Sequence, residues 1–323
     1  MPLSVIAEQC YLEPDTFQRQ YKEVLSDYKT WDQKEHADEW LLFPKNIGKK
    51  LSIDETSLSN GELYTILTNK AAKGRKGSVI AIVKGTDSKT VTDILRKIPV
   101  ADRMAVKEIT LDMSSSMEWI ASQSFMNAVH ISDRFHVQQL VSDALQDVRV
   151  ALRWKAIERE NNAIAQARKN GTTYQPLLYE NGDSEKQLLA RGRYLLFKSS
   201  SNWTESQTQR AAILFRVFPE LKKAYELSML FRSFYEAKNR EEGEQRLQTW
   251  YAAVDRHRTD FPSFLTAAHS VRAHEGTILN YFFDRSTNAS AESFNAKVKT
   301  FRSLVRGVTD KKFFLYRIAM IYG

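Results

Sequence analysis

The 323-residue chain exceeds one ordinary domain and carries 47 lysines and arginines against 39 acidic residues, a net charge of +8. Its 12 glycines and 7 prolines are about half the usual share, which excludes a collagen-like, low-complexity or turn-dense all-β chain; 11% aromatic residues argue for a packed core. Cys10, the single cysteine, excludes an internal disulfide framework and a cysteine-rich zinc site. The longest apolar stretches, such as Val79–Val83, are far short of the ~18 residues a membrane span needs. No charged-then-apolar leader opens the chain, so the expectation is a soluble cytoplasmic protein with no membrane partner, whose basic balance leans toward nucleic acid.

Residues 1–45 read as helical, broken at Glu13-Pro14-Asp15, with Phe17, Tyr21, Val24, Leu25 and Tyr28 at helical spacing. The pair fits a partial helix-turn-helix, or merely two helices that pack together. From Lys49 the period changes to that of strands. Strands are expected near 50–54, 62–68, 78–83, 106–112 and 128–132, with Asn60-Gly61 as a hairpin turn and helices at 87–98 and 114–125. Thr86 or Ser88 would cap the first of these helices. That order predicts an α/β fold, a mixed five-stranded sheet with flanking helices. After Asp133 strand patterns stop, and almost everything to about residue 285 is helix former: a large all-α insertion. The expected organisation is a helical segment at 1–45, the first part of the core at 46–139, the insertion at 140–285 and the rest of the core at 286–323.

Asp54 and Asp112 stand at the ends of predicted strands, where ligands and catalytic groups gather in an open sheet. On neighbouring strands their like charges would repel, and a divalent cation with a taste for hard oxygen ligands, Mg²⁺ or Mn²⁺, would relieve the repulsion. A third carboxylate from a packed helix would complete a two-metal site for phosphoryl chemistry. The plain alternative is a pair of solvated strand-end aspartates.

Four blocks in order carry a resemblance: Leu51-Ser-Ile-Asp54-Glu-Thr, Ile109-Thr-Leu-Asp112-Met-Ser-Ser-Ser, Val129-His-Ile-Ser-Asp133-Arg-Phe-His136-Val, and Asn288-Ala-Ser-Ala-Glu292-Ser-Phe-Asn295-Ala-Lys-Val-Lys299. The chain resembles the DDE transposases of bacterial insertion sequences, in the branch whose ribonuclease-H-like core is split by a helical insertion. The Asp133-x-x-His136 block is the most specific of the four. The spacings also agree, with 58 residues from Asp54 to Asp112 and 180 from there to Glu292.

The resemblance implies that Asp54, Asp112 and Glu292 form a catalytic, metal-binding triad holding two Mg²⁺ (or Mn²⁺) ions. Asp133, His136 and Asn295 would support it. The implied chemistry is cleavage at element ends and strand transfer into target DNA, with no covalent protein–DNA intermediate. A ribonuclease-H-like nuclease without strand transfer and a domesticated, non-catalytic DNA-binding regulator are the rivals. Glu292, Asn295 and Lys299 share one helix face, and residues 293–323 hold seven basic side chains against one acid. Lys299, Arg302 and Arg306 are therefore expected on the DNA backbone, although a solvated basic face would look the same. Trp203 sits where family members often place an aromatic that stacks on a displaced base. The partners implied are element and target DNA and a homodimer or larger assembly on it. The family's cysteine-rich N-terminal region has no counterpart here, so a separate N-terminal end-recognition protein is a further expected partner.

Overall fold

Six strands pair into one mixed sheet: β1 (Trp40–Leu42), β2 (Lys50–Ser59), β3 (Glu62–Asn69), β4 (Val79–Lys84), β5 (Glu108–Leu111) and β6 (Val129–Ser132), in the order β1-β4-β3-β2-β5-β6. The computed structural model describes residues 3–59, 61–285, 289–304, 308 and 310–323, without the side chains of 4, 58, 59 and 289–292. Strands β2, β3 and β4 form an antiparallel meander, and β5 and β6 add parallel to it on the β2 side.

Alternation along the strands sends apolar side chains to both faces. Leu51, Ile53, Ile109 and Leu111 point into a core completed by Val91 and Leu95 of α3 (Ser88–Leu95) and Met117 and Ile120 of α5 (Ser115–Ser124). Between these helices lies the short α4 (Val100–Met104). Tyr64, Ile66 and Ile82 point the other way, onto Phe294 and Val298 of α14 (Ala289–Leu304) and Phe314, Leu315 and Ile318 of α15 (Lys311–Tyr322). This is the sandwich of a ribonuclease-H-like α/β fold, with helices on both faces of a mixed sheet. The cap of α3 is Asp87, whose Oδ2 accepts from the Thr90 amide at 2.8 Å, and not Thr86 or Ser88.

Three features depart from the sequence expectation. The sheet has a sixth strand, because Trp40–Leu42 pairs antiparallel with β4 instead of continuing a helical N-terminal segment. Three residues show no period of their own, and only the exposed edge of β4 makes a strand of them. Asp54 does not end its strand either: β2 runs on to Ser59, since Glu55, Thr56 and Ser57 pair with Thr65, Tyr64 and Leu63 of β3. Finally, the N-terminal helices are short, α1 (Leu3–Gln9) and α2 (Pro14–Gln20). The expected apolar stripe is divided there. Tyr28 joins Phe313 and Tyr316 in an aromatic cluster with Tyr21 and Trp31 packed against it, while Val24 and Leu25 face solvent.

The chain divides into two compact units, residues 1–134 with 284–323, and residues 135–283. The second is all helix apart from turns and one bridge between Leu178 and Ser184. It contains most of α6 (Arg134–Lys169), then α7 (Glu185–Arg191), α8 (Arg193–Leu196), α9 (Glu205–Val217), α10 (Pro219–Phe234), α11 (Arg240–Arg256), α12 (Pro262–Ala273) and α13 (Glu275–Leu279). Its core is built on Leu214, Leu221, Phe231, Phe234, Trp250 and Phe264. Buried Asp183 is held there by Arg191 and, at 3.1 Å, by Arg210.

Candidate active site

Strands β2 and β5 lie parallel with Lys50 opposite Glu108, Leu51 opposite Ile109 and Ser52 opposite Thr110. Two residues beyond the last paired residues come Asp54, still on β2, and Asp112, just past the end of β5. Because β5 ends at Leu111, the two aspartates stand where the parallel pair opens. Both are half-buried. Asp112 turns back on its own loop, its Oδ1 accepting from the Ser114 amide at 3.0 Å. Asp54 Oδ1 accepts from the Glu55 amide at 2.8 Å, and its Oδ2 accepts from the side-chain amide of Asn295 at 2.7 Å.

That last bond ties α14 to β2. Burial of Phe294 and Val298, about 1.5–3 kcal/mol for each such side chain, does more to dock the helix than one charge-assisted hydrogen bond. The hydrogen bond then sets which turn of the helix meets Asp54. Glu292 belongs to the same helix, one turn before Asn295, and its side chain lies outside the described residues. Lys299 is exposed, Arg302 is half-buried, and Arg306 lies outside the described residues.

Beneath the aspartates one sheet face is polar. Lys70 follows β3; its Nζ donates to Glu108 Oε1 at 2.9 Å and to Thr110 Oγ1 at 2.7 Å. Lys50 reaches Glu108 Oε2 at 3.4 Å and also pairs with Asp284. Burial pulls the Lys70 ammonium below the usual lysine range, opposed by the charges of Glu108 and Asp133. The basic stretch Lys70–Gly77 reads from sequence as a solvated hairpin tip, whereas the structure buries the Lys70 ammonium against Glu108. Glu108 and Lys50 are not singled out by that reading, although strand parity marks them, since 50 and 52 share a face, as do 108 and 110.

The electrostatic signature of clustered carboxylates shows on Glu55. Its carboxyl is pushed up first by burial, then by the charges of Asp112 and Asp54. Two half-exposed carboxylates that both act on Glu55, offering oxygen donors, are a donor set that fits a hard divalent cation. Among the described residues, no three His, Cys, Asp or Glu side chains converge as a metal cage.

Asp133 is buried just after β6, its amide donating to the Leu111 carbonyl at 2.7 Å. His136 is half-buried on α6, its ring 5.8 Å from that of Phe135, in the helical unit. Trp203, also in that unit, donates from Nε1 to the Leu195 carbonyl at 2.8 Å, with its ring centroid 5.5 Å from Tyr225 and 6.2 Å from Phe215. It braces α9 and α10 against the turn before them. Lys297, another residue the sequence reading did not single out, donates to the Gly74 carbonyl at 2.7 Å and fastens the basic loop 70–77 to α14.

No helix among the described residues is long and apolar enough to cross a membrane. No curated protein matches the chain. A family model described as a transposase, of the DDE type and the ISL3 group, matches residues 51–318, from the start of β2 into α15. That stretch takes in every strand from β2 onward, both aspartates at the open end of the β2–β5 pair, the helical unit and α14. The chain therefore belongs to the DDE transposases of the ISL3 group.

Proposed function

We propose that this protein cuts DNA at the ends of an insertion sequence and joins the freed 3′ ends to target DNA, with Asp54, Asp112 and Glu292 as its catalytic carboxylates. The observation that carries the reading is the meeting of three elements. In support, the parallel pairing of β2 and β5 runs up to the residues just before Asp54 and Asp112, and Asn295, one turn along α14 from Glu292, bonds Asp54. Two divalent ions, Mg²⁺ or Mn²⁺, would supply activation of the attacking oxygen and charge stabilisation at the scissile phosphate.

The chain's own groups do the rest. Asp54 and Asp112 present oxygens from a rigid sheet, each held by a backbone amide, so their geometry is set before DNA arrives. Asn295 occupies Oδ2 of Asp54 and orients that carboxylate. Asp133 and His136 are assigned supporting roles. Lys299, Arg302 and Arg306 are assigned to the DNA backbone. Trp203, half-buried with its indole N–H held by the Leu195 carbonyl, is assigned to stack its ring on a displaced base. Assembly as a dimer or larger complex that bridges two ends, with help from a separate end-recognition protein, belongs to the same proposal.

The test is incubation of the purified protein with labelled DNA bearing the inverted repeats that flank its gene, with Mg²⁺, resolving nicked, double-cut and joined products. Asp54→Asn, Asp112→Asn and Glu292→Gln should each abolish cleavage while DNA binding persists. Cleavage without joined products would identify a nuclease, and binding with no cleavage by the unaltered protein a DNA-binding regulator.

A further inference from the structure

The helical unit holds three arginines that form no ion pair among the described residues. Arg149, on α6, is only 7% exposed; its Nε donates to Gln146 Oε1 at 2.6 Å and its Nη1 to the Leu189 carbonyl at 3.1 Å. Arg153 stands one turn further along α6, and Arg193 opens α8, four residues after Leu189; both are exposed. Burial, then the charges of Arg193 and Arg153, hold the Arg149 guanidinium below its ordinary range, and no carboxylate offsets them.

The sequence explains the imbalance. On a helix an acid pairs from three or four positions away. Around all three arginines every such position is apolar, a glutamine or another arginine. Among the described residues none of the three takes part in an ion pair, although their neighbours do: Arg159 with Glu185, Lys186 with Glu160, Arg191 with Asp183. One exposed aromatic ring adjoins the group, and a second lies next to it in sequence. The Arg193 guanidinium lies over the ring of Tyr194 at 5.6 Å, and Trp154 follows Arg153 in sequence.

We infer that this surface binds the DNA phosphodiester backbone. Arg153 and Arg193 would contact phosphate oxygens, Arg149 would add its charge from a fixed position, and Tyr194 would offer a ring face to a base. Planar guanidinium forks match phosphate oxygens, and mutual repulsion among three of them is relieved by an anion whose charges repeat along a chain. Cations interleaved with exposed aromatic rings suit a strand whose bases are accessible. The transposase reading enters only in the choice of DNA among phosphodiesters, since the surface consists wholly of residues of the helical unit.

The full-length protein is titrated with a mixed-sequence duplex and with a single strand of equal length, in EDTA so that no cleavage intervenes, over a range of salt concentrations. Arg153→Gln/Arg193→Gln should weaken binding. Two lost contacts should lower the slope of log affinity against log salt by about 1.8 on duplex or about 1.4 on single strand. The arm that changes identifies the form of DNA held. Arg153→Lys/Arg193→Lys keeps the charges and should keep most of the slope, which guards against a double glutamine variant that fails to fold. Tyr194→Ala should weaken single-strand binding about tenfold and leave the duplex nearly unchanged if a base stacks there. Unchanged slopes in both arms, for a double glutamine variant with unaltered circular dichroism, overturn the inference and assign the cluster to another anion, such as an acidic protein segment. Cleavage by the Asp54 and Asp112 variants is scored separately with Mg²⁺, so either reading can fail alone.

Discussion

Asn295 donates its side-chain amide to Oδ2 of Asp54 at 2.7 Å, joining residues 241 positions apart in the chain. The bond occupies one carboxylate oxygen and leaves the other on the Glu55 amide. A side chain that orients a metal-ligating carboxylate commonly accounts for 10–100-fold in metal affinity or activity. Asn295→Ala should therefore raise the Mg²⁺ concentration that half-activates cleavage by about that factor, with DNA affinity in EDTA unchanged. A Mg²⁺ titration of the cleavage rate checks it, and an unshifted midpoint would deny Asn295 the role.

In the proposed site, Asp54 and Asp112 share a cation, and without it their like charges would oppose folding. Asp112→Asn should raise the melting temperature in EDTA, and added Mg²⁺ should stabilise the unaltered protein but not the variant. A bound ion at ~100 times its Kd contributes about 2.7 kcal/mol, enough to read in a thermal melt. Equal Mg²⁺ responses in both proteins would count against cation binding at these residues.

Lys70 and Glu108 form a buried ion pair under the aspartates, with side chains 10% and 7% exposed. Breaking such a pair strands a buried charge, whereas replacing both partners is often close to neutral. Lys70→Met should cost about 3 kcal/mol in urea denaturation, toward the low end because Lys50 also reaches Glu108. Lys70→Met/Glu108→Leu should recover most of the loss. A single variant as stable as the parent would show that the pair contributes nothing.

Lys299 is exposed on α14, one turn beyond Asn295. If it meets a phosphate, Lys299→Ala should lower the salt slope of duplex affinity by about 0.9 without changing the melting temperature. Glu292→Gln should act oppositely, sparing or tightening binding as one negative charge is removed. An unchanged salt slope for Lys299→Ala would make this face merely solvated.

His130 of β6 is held below the usual histidine range by burial, with the charge of Glu118 opposing. Its folded value lies beneath its unfolded one, so the unfolded chain binds more protons between the two. Its contribution to stability is complete above the unfolded value near 6.5 and is lost as pH falls through the folded value. Urea denaturation from about pH 7.5 down to about pH 5 should show a steeper loss for the parent than for His130→Gln. Parallel curves would refute it.

Local pattern made most of the elements and their faces legible in the sequence. Alternation at Val106–Asp112 gave a strand, the end of strand patterns and the run of helix formers after Asp133 pointed to a helical insertion, and the four motif blocks pointed to the family. Those signals are local, because side-chain period and backbone propensity need only near neighbours. Which strands are neighbours is set by packing across the whole sheet. The tertiary structure made an edge strand of Trp40–Leu42, extended β2 past Asp54, and set Lys50 and Ser52 beside Glu108 and Thr110. It also chose Asn295 for Asp54, and Lys70 for Glu108. These pairings join distant residues through hydrogen bonds and ion pairs whose partners share no local pattern, so they exist only once burial of the two apolar cores has fixed the sheet and brought α14 down upon it.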